Sequence, residues 1–571
     1  MLLSATALGF GLLTSNISSA AVINSTWDGD AIGNGSWNDA SLWSPDGVPN
    51  NDGTDAFNVT VPSHPVNPQP NGPTLNTNDF TIDNLTVGRD AFVAGSFGND
   101  LTVTGTTQLN PPVVSGFNGE IRAIDNIFTL GTLTNYNPAT RQFGNGQLNV
   151  SAAVMATIQF HGADIVTNNG GIILSGPNAR ILNQDTGSSG LVNLAVNNGR
   201  LIFSNGANFT TAGDFTNNNP FQIQNFIPGT PSTTFTVSGA LTNFNPATGT
   251  LSGGFFQVLE SNGSAATLRF AGADIRRLEN TTVQVIGANA RITDLAGNDA
   301  LRNLSSVTGS LTLGGTRTIT PATGQLQVNG TFTIAGSSSV NVQGGYGQTG
   351  GQFSVGNGST FATAGETFYD STQLLLNGTS ISPLTTNVSA PGTVVIRTGF
   401  VSGNGSLNAG ISSIASTFSP GFSPGHIVVN GPASFDSGST FIMELGGITP
   451  ATEFDLISQT GPMSLTLGGS TLNVSFINGF QNAITGADSF AIITSANPIA
   501  GTFGNAASGS RLVTSDGLGS FLVTYGAGSA TPDRVVLSGF QAVPEPGAWA
   551  LALGGAGVLL LFRRRLRRGR R

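Results

Sequence analysis

The feature that most constrains the fold is a long internal duplication. Three segments return in the same order further along the chain: GTLTNYNPAT from Gly131 as GALTNFNPAT from Gly239, FHGADI from Phe160 as FAGADI from Phe270, and GPNARI from Gly176 as GANARI from Gly287. Their spacing drifts slowly around about 110 residues, which indicates a tandem repeat with small loop insertions. We place the two copies at about 131–238 and 239–345. Because such a unit is longer than one coil of the common solenoids, each copy should contain several coils.

Within each copy the pattern is that of short β-strands. Segments such as ATLRFAGADI and SLTLGGTRTI alternate apolar with polar residues and stop at turns rich in Gly and Asn. A stacked β-sandwich array and a parallel β-helix both fit this spacing. We favour an all-β chain with a right-handed parallel β-helix over residues 99–405. The inward rows of that fold accept Val, Ile, Leu and Phe, while Asn, Gly and Thr suit its bends. Charged residues make up only 9% of the chain, which avoids like charges stacking on neighbouring coils.

Residues 21–98 form a Trp-rich opening that contains Trp27, Trp37 and Trp43. The first coil of a solenoid has an open edge, and we expect these side chains to cap it. A platform on which sugar rings stack is the alternative interpretation. Nearby acids could instead ligate calcium, but neither the EF-hand spacing nor a Gly-Gly-x-Gly-x-Asp repeat is present, so we interpret them as solvated turn residues. These acids are Asp28, Asp30, Asp46, Asp52 and Asp55.

Charge and residue types exclude several classes of function. The chain has no Cys, which excludes disulfides and thiolate zinc sites. Its three His residues, His64, His161 and His426, are far apart in the sequence, and we predict neither a metal site nor a cofactor. Acids outnumber arginines in the body of the chain once the Arg-rich C-terminal tail is set aside. An acidic surface repels phosphate groups, so nucleic acid is not an expected partner.

Residues 1–20 are typical of a secretory signal peptide. An apolar run, LLSATALGFGLL, is followed by small residues that would place Ser18 and Ala20 at positions −3 and −1 of a cleavage site. No basic residue precedes the apolar run, so we expect the natural start to lie upstream of Met1. The sequence therefore predicts an exported protein.

Residues 541–571 contain three parts in order: Pro544-Glu545-Pro546, an apolar span over 548–562, and an Arg-rich end. As a helix at about 1.5 Å per residue the span would reach about 22 Å, short of a ~30 Å hydrocarbon core. Trp at one end and Arg at the other would extend it, and the Arg cluster would lie in the cytoplasm. The predicted anchor residues are Trp549, Leu551, Leu553, Val558, Leu559, Leu560, Leu561 and Phe562, and the predicted stop-transfer residues are Arg563, Arg564, Arg565, Arg567 and Arg568.

This arrangement resembles the PEP-CTERM sorting signal of bacterial exopolysaccharide-associated proteins, and the resemblance covers about thirty residues. It implies recognition and processing by an exosortase, a membrane cysteine transpeptidase. Pro544, Glu545 and Pro546 would then be substrate residues of that enzyme. Residues 406–540, which include FSPGFSPGH and TEFDLI, resemble the C-terminal β-region of PEP-CTERM proteins and autotransporter-like passengers. The resemblance brings no catalytic residue with it.

The predicted function is a non-enzymatic structural or adhesive protein of the surface or extracellular matrix of a Gram-negative-type bacterium. The tail would hold it in the inner membrane before processing, and extracellular polysaccharide is the further expected partner. The alternative is a β-helix polysaccharide lyase or glycoside hydrolase, which would need paired carboxylates. Asp164 and Asp274 are the nearest candidates, but each occurs once per repeat, so we expect them at equivalent turns. An autotransporter passenger would need a C-terminal membrane barrel, which the single apolar span contradicts.

Overall fold

The computed structural model describes residues 21–28, 35–51, 55–63, 72–96, 98–110, 119–379, 385–421, 423–461, 463–543, 555–563 and 565. The chain divides into two compact units, Met1–Ile202 and Phe203–Arg571. Strands account for 53% of the residues and helix for 3%, and most strand pairs are parallel. The prediction of an all-β chain is confirmed.

The described part of the first unit is built from short strands. In chain order they are β1 (Ala21–Trp27), β2 (Gly35–Ser36), β3 (Trp43–Ser44), β4 (Asp55–Val61), β5 (Pro73–Leu75), β6 (Phe80–Ile82), β7 (Asn84–Val87), β8 (Phe92–Ser96), β9 (Leu101–Val103), β10 (Thr106–Leu109), β11 (Glu120–Ile124), β12 (Ile127–Thr129), β13 (Thr132–Leu133), β14 (Tyr136–Asn137), β15 (Gln142–Phe143), β16 (Gln147–Ser151), β17 (Ala156–Phe160), β18 (Thr167–Asn168), β19 (Gly171–Ser175), β20 (Ala179–Asn183), β21 (Val196–Asn197) and β22 (Arg200–Ser204), whose last residues belong to the second unit. A 3-10 turn, Ala40–Leu42, precedes β3.

In this unit the chain visits three parallel sheets in a fixed rotation. One sheet contains β1, β4, β7, β10 and β13, a second contains β2, β5, β8, β11, β16 and β19, and a third contains β6, β9, β12, β17 and β20. Strand β3 pairs antiparallel with β1 at the edge of the first sheet. From β14 onward a hairpin, β14–β15, followed by β18 and β21, stands between the strands of the other two sheets. Each strand therefore lies against the strand one full circuit away in the chain.

The second unit contains longer strands as well. In chain order they are β23 (Phe209–Thr210), β24 (Thr216–Asn217), β25 (Pro220–Asn225), β26 (Thr233–Val237), β27 (Phe244–Asn245), β28 (Thr250–Ser252), β29 (Phe255–Glu260), β30 (Ala266–Phe270), β31 (Arg277–Glu279), β32 (Thr282–Ile286), β33 (Ala290–Thr293), β34 (Ser306–Val307), β35 (Ser310–Leu313), β36 (Thr316–Ile319), β37 (Gln325–Ile334), β38 (Ser339–Val342), β39 (Gly345–Val355), β40 (Thr360–Thr363), β41 (Thr367–Asp370), β42 (Thr372–Asn377), β43 (Asn387–Ile396), β44 (Gly399–Ser413), β45 (Ser416–Pro420), β46 (His426–Val429), β47 (Ala433–Phe435), β48 (Thr440–Leu445), β49 (Leu456–Gln459), β50 (Leu465–Thr466), β51 (Thr471–Phe476), β52 (Ser489–Ser495), β53 (Arg511–Val513), β54 (Gly519–Thr524) and β55 (Arg534–Ala542). A second 3-10 turn is Phe480–Asn482.

Three rows of parallel strands also alternate in the second unit. One row runs β28, β31, β34, β37, a second runs β25, β29, β32, β35, β37, and a third contains β23, β26, β30 and β33. Long strands such as β37 and β39 bend and belong to two rows. At that bend Gly351 has φ +67°, and a Cβ there would lie 2.1 Å from the carbonyl oxygen of Gly330. A side chain does not fit between the paired strands at this point, so glycine is required.

Parallel pairing continues past residue 406. Strand β48 pairs with β45 and β51, and β49 pairs with β46 and β52. The last described strands are antiparallel: β52 pairs with β55, and β54 pairs with both β53 and β55. The unit boundary after Ile202 falls inside the first copy of the repeat.

Alternation along the strands separates a packed interior from a polar exterior. In β16, Leu148 and Val150 are fully buried while the residues on either side of each are partly exposed, as expected for a period of two. In the second unit Phe332, Phe353 and Phe361 pack ring to ring, with centroids 4.9–5.9 Å apart. Such pairs add about 0.5–1.5 kcal/mol each beyond burial of their area. These buried aromatic rows supply apolar packing that stabilises the interior of a chain with few charged residues.

The predicted terminal segments lie largely outside the described residues. This holds for residues 1–20, the predicted signal peptide, and for residues 544–554 of the tail. Residues 555–563 are helical. Within the part of the chain that the structure describes, no helix has the length and apolar character needed to cross a membrane. Residues 548–554 of the predicted transmembrane segment 548–562 lie outside the described residues.

Candidate functional site

The three Trp residues of the opening form one buried cluster. Trp37 and Trp43 are fully buried and Trp27 is 3% exposed. The Trp43 ring centroid lies 5.0 Å from that of Trp27 and 4.8 Å from that of Trp37. Trp43 Nε1 donates to the Trp37 carbonyl oxygen at 2.9 Å. Because no indole face is open to solvent in this cluster, a sugar ring cannot stack on it.

The acids of the same region are dispersed. Asp28 and Asp46 are exposed, and Asp55 is half-buried at the start of β4. Asp30 and Asp52 lie outside the described residues. Among the residues that the structure does describe, no three His, Asp or Glu side chains come close enough together to hold a metal ion.

The repeated Asp164 is hydrogen-bonded to the next coil. It forms an ion pair with Arg141 at 2.5 Å and accepts a hydrogen bond from Asn193 Nδ2 at 2.9 Å. Burial favours a raised pKa for Asp164, but the hydrogen bonds from Arg141 and Asn193 outweigh it and hold that pKa below its ordinary value. The Tyr136 hydroxyl donates to the Asp164 carbonyl oxygen at 3.0 Å.

Asp274, the matching residue of the second copy, has the matching Asn contact but a different Arg partner, because Gly249 stands in the place of Arg141. Asn303 Nδ2 donates to it at 2.8 Å and Arg276 Nε donates to it at 2.9 Å. Phe244 packs against Phe270 with ring centroids 5.3 Å apart, the same distance as between Tyr136 and Phe160 in the first copy. Both carboxylates therefore connect neighbouring coils at equivalent turns, where hydrogen bonding occupies them.

Each described histidine has a separate partner. His161 Nδ1 lies 2.5 Å from Asp185 Oδ1 on an exposed loop, and the pair is about half exposed. His426 Nε2 lies 2.9 Å from the Ser458 hydroxyl on the neighbouring strand. His64 lies outside the described residues.

The segment TEFDLI contains a buried acid that sequence reasoning missed. Asp455 is 0% exposed. Its Oδ1 accepts from the Gly425 amide at 2.7 Å and its Oδ2 accepts from the Glu444 amide at 2.9 Å. Burial raises the pKa of Asp455 to about 7, although the two amide hydrogen bonds oppose the rise. The available signal was an Asp with apolar neighbours on both sides, Phe454 and Leu456.

The tail is described only in part. Pro544, Glu545, Pro546, Trp549, Leu551 and Leu553 lie outside the described residues, as do Arg564, Arg567 and Arg568. Five helical residues present apolar side chains to solvent with exposures of 55–71%: Val558, Leu559, Leu560, Leu561 and Phe562. Arg563 and Arg565 are exposed beyond them.

An open depression lies beside the hairpin of the second copy. It has a volume of ≈ 670 Å³ and only polar or charged lining residues: Asn245, Thr248, Thr250, Ser252, Arg277 and Glu279. Pairing of β28 with β31 places Thr250 opposite Arg277 and Ser252 opposite Glu279. We call these six residues the hairpin groove.

Arg277 and Glu279 are the two charged residues of the hairpin groove. Arg277 Nη1 lies 3.8 Å from Glu279 Oε1, too far for a direct hydrogen bond, and the side chains are 58% and 43% exposed. The groove thus presents guanidinium donors and carboxylate acceptors side by side. Sequence reasoning does not single out either residue, because neither belongs to a recognisable motif.

A smaller depression of ≈ 350 Å³ lies elsewhere on the second unit. It is lined by Asn208, Phe209, Thr210, Thr234 and Thr236. The Phe209 ring is half-buried and stacks on Phe203 with centroids 5.2 Å apart. Asn208 Oδ1 accepts a hydrogen bond from the Thr234 amide at 2.7 Å.

No family model, no curated protein and no solved structure matches the chain.

Proposed function

We propose that the chain is a non-enzymatic structural or adhesive protein, exported to the cell surface or extracellular matrix and built on a right-handed parallel β-helix. The observation that supports the β-helix best is the fixed rotation of the chain through three parallel sheets. Ile121, Leu148 and Ile172 lie in register on successive coils. Crossovers between parallel strands are right-handed in nearly all proteins, which supports the proposed hand.

Side-chain amide ladders support a structural role. Asn58 Nδ2 donates to Asn24 at 3.0 Å, and Asn84 Nδ2 donates to Asn58 at 2.7 Å. In the second unit Gln222 donates to Gln257, which donates to Gln284 at 2.6 Å. These ladders bind coil to coil without charge, and they leave a repetitive uncharged surface suited to adhesion.

The buried Trp cluster supports the proposal that residues 21–98 cap the β-helix. Trp43 lies on β3, which pairs with the outer side of β1. Bulky indoles at this position shield the first sheet from solvent. Because the indole rings are buried, capping of the first strands is favoured over stacking of sugar rings.

The proposed sorting route depends on the tail. An exosortase would recognise Pro544-Glu545-Pro546 outside the membrane while the apolar span holds the protein in the inner membrane. The exposed apolar side chains of residues 558–562 are of the kind that need a lipid or protein partner. The acidic body is unsuited to nucleic acid, so extracellular polysaccharide is the proposed partner of the mature protein.

Intact-mass measurement of the cell-associated protein tests the sorting route, and cell fractionation tests the location. We expect a mature species that lacks residues 1–20 and the tail after the Pro-Glu-Pro segment, in the surface or matrix fraction. A species that retains residues 547–571 contradicts processing, and a cytoplasmic species contradicts export. Incubation with polyuronides and β-glucans tests the non-enzymatic role, because release of shorter products would show catalysis.

A further inference from the structure

The hairpin groove has the chemical properties of a site for sugar hydroxyl groups. Arg277 has five N–H donors and the Glu279 carboxylate has only acceptors. At 3.8 Å their nearest charged atoms are not hydrogen-bonded to each other. Thr250 and Ser252 add hydroxyl groups on the preceding strand, so donors and acceptors stand in both strands of the groove.

We infer that the hairpin groove binds an uncharged polysaccharide chain. This inference rests on the proposed function and names the chemical class of its polysaccharide partner. A sugar hydroxyl both donates and accepts hydrogen bonds, so neighbouring hydroxyls can donate to Glu279 and accept from Arg277. A polyanion would pair with Arg277 but would be repelled by Glu279. A cation would pair with Glu279 but would be repelled by Arg277.

The first copy of the repeat lacks this pair at the same positions. Pairing of β15 with β18 places Gln142 opposite Thr167, as Thr250 lies opposite Arg277 in the second copy. Thr167 therefore stands in the place of Arg277, and Asn169 stands in the place of Glu279. The Asn169 side chain already accepts a hydrogen bond from Asn198 Nδ2 at 2.9 Å. The duplication thus supplies a pair of uncharged replacements that the same backbone accommodates.

The double variant Arg277→Thr with Glu279→Asn gives the groove the residues of the first copy and tests the inference. Both side chains are about half exposed, so the double variant should fold, and its circular dichroism and melting temperature should match those of the parent chain. The matched control is Arg534→Thr with Asp533→Asn, which removes another exposed ion pair of the second unit, with a 3.1 Å contact, outside the groove.

The experiment is affinity electrophoresis of the full chain in gels that contain a soluble neutral β-glucan or, as the charged comparator, polygalacturonate. We expect the β-glucan to retard the parent chain and the control variant. The double variant should lose about tenfold in affinity, because charge-assisted hydrogen bonds are removed. Polygalacturonate should retard none of the three more strongly than β-glucan does.

Three results would overturn the inference: no retardation of the parent chain by β-glucan, equal retardation of the double variant, or stronger retardation by polygalacturonate. Fractionation of cells that express the parent and double-variant chains keeps the proposed function separate. If both proteins reach the surface and neither binds β-glucan, only the groove inference fails. If neither is exported, the proposed function fails as well.

Discussion

The buried carboxyl of Asp455 predicts that the coil around it becomes less stable as the pH rises. Burial raises the folded-state pKa to about 7, whereas an unfolded Asp has a pKa of about 3.9. Between these two values the folded chain holds a proton that the unfolded chain has released. Stability is then complete below the unfolded pKa and is lost as the pH rises through the folded pKa. From pH 5 to pH 8 the loss amounts to about 2–3 kcal/mol, or roughly 100-fold in the opening equilibrium.

The assay is amide hydrogen exchange at Gly425 and Glu444, whose N–H groups donate to the two oxygens of Asp455. Protection factors, corrected for the intrinsic pH dependence of exchange, should fall roughly 100-fold between pH 5 and pH 8. Asp455→Asn removes the titration and should leave these protection factors flat. Its amide group cannot accept from both N–H groups, so it should also cost about 1–3 kcal/mol at pH 5.

Glu453→Gln is the control, two residues away. The side-chain hydrogen bond with Thr449, together with the backbone amides of Thr449 and Ile448, lowers the pKa of Glu453. That carboxylate contributes stability that is lost as the pH falls through its folded pKa, in a window below pH 5. The variant should therefore keep the parent slope from pH 5 to pH 8. Equal slopes in the parent and Asp455→Asn chains would refute the reasoning.

Three further substitutions test the packing and the ladders. Trp43→Ala should destabilise the first unit by about 3–5 kcal/mol because it leaves a cavity in the buried cluster, while the exposed Val22→Ala should change urea unfolding by no more than about 0.5 kcal/mol; equal effects would contradict the role of the cluster. Asp164→Ala should cost about 1 kcal/mol in urea unfolding, because it removes coil-to-coil hydrogen bonds, and an unchanged midpoint would argue against that role. Gln257→Glu replaces the donor to Gln284 by an acceptor, so the melting temperature should fall at pH 7 and recover below about pH 4, where the carboxyl can donate again; a pH-independent change would contradict the ladder.

The strand content and the equivalence of Asp164 and Asp274 could be predicted from the sequence. Both rest on local patterns: alternation with a period of two identifies strands, and a repeated segment places the same residue in the same turn. The rotation through three sheets follows from which strands pair, and no local pattern specifies that. Capping by Trp37 and Trp43 and sugar stacking were both open interpretations, because a sequence shows that indoles cluster but not whether their faces are covered.

Asp455 and the hairpin groove could not be predicted for a related reason. An acid between two apolar residues is compatible with an exposed turn as well as with a buried amide acceptor. The choice depends on the amides of Gly425 and Glu444, which come from other segments of the chain. Arg277 and Glu279 are two residues apart in the chain, yet the groove also needs Thr250 from the preceding coil. The pairing of coils, rather than any single segment, creates both sites.

In a duplicated chain of paired parallel strands, the contacts between strands constrain some positions and leave others free to change. Asp164 and Asp274 bond to the next coil in both copies, since each coil is held mainly by its neighbours. Outward positions such as Arg277 face solvent and are not needed for these hydrogen bonds. They can therefore differ between the two copies at little cost in stability. If binding evolved on this scaffold, it should be found where the copies differ at exposed positions while their buried registers agree. The hairpin groove meets that condition, and the exchange of its charged pair for the residues of the first copy is the most direct test of it.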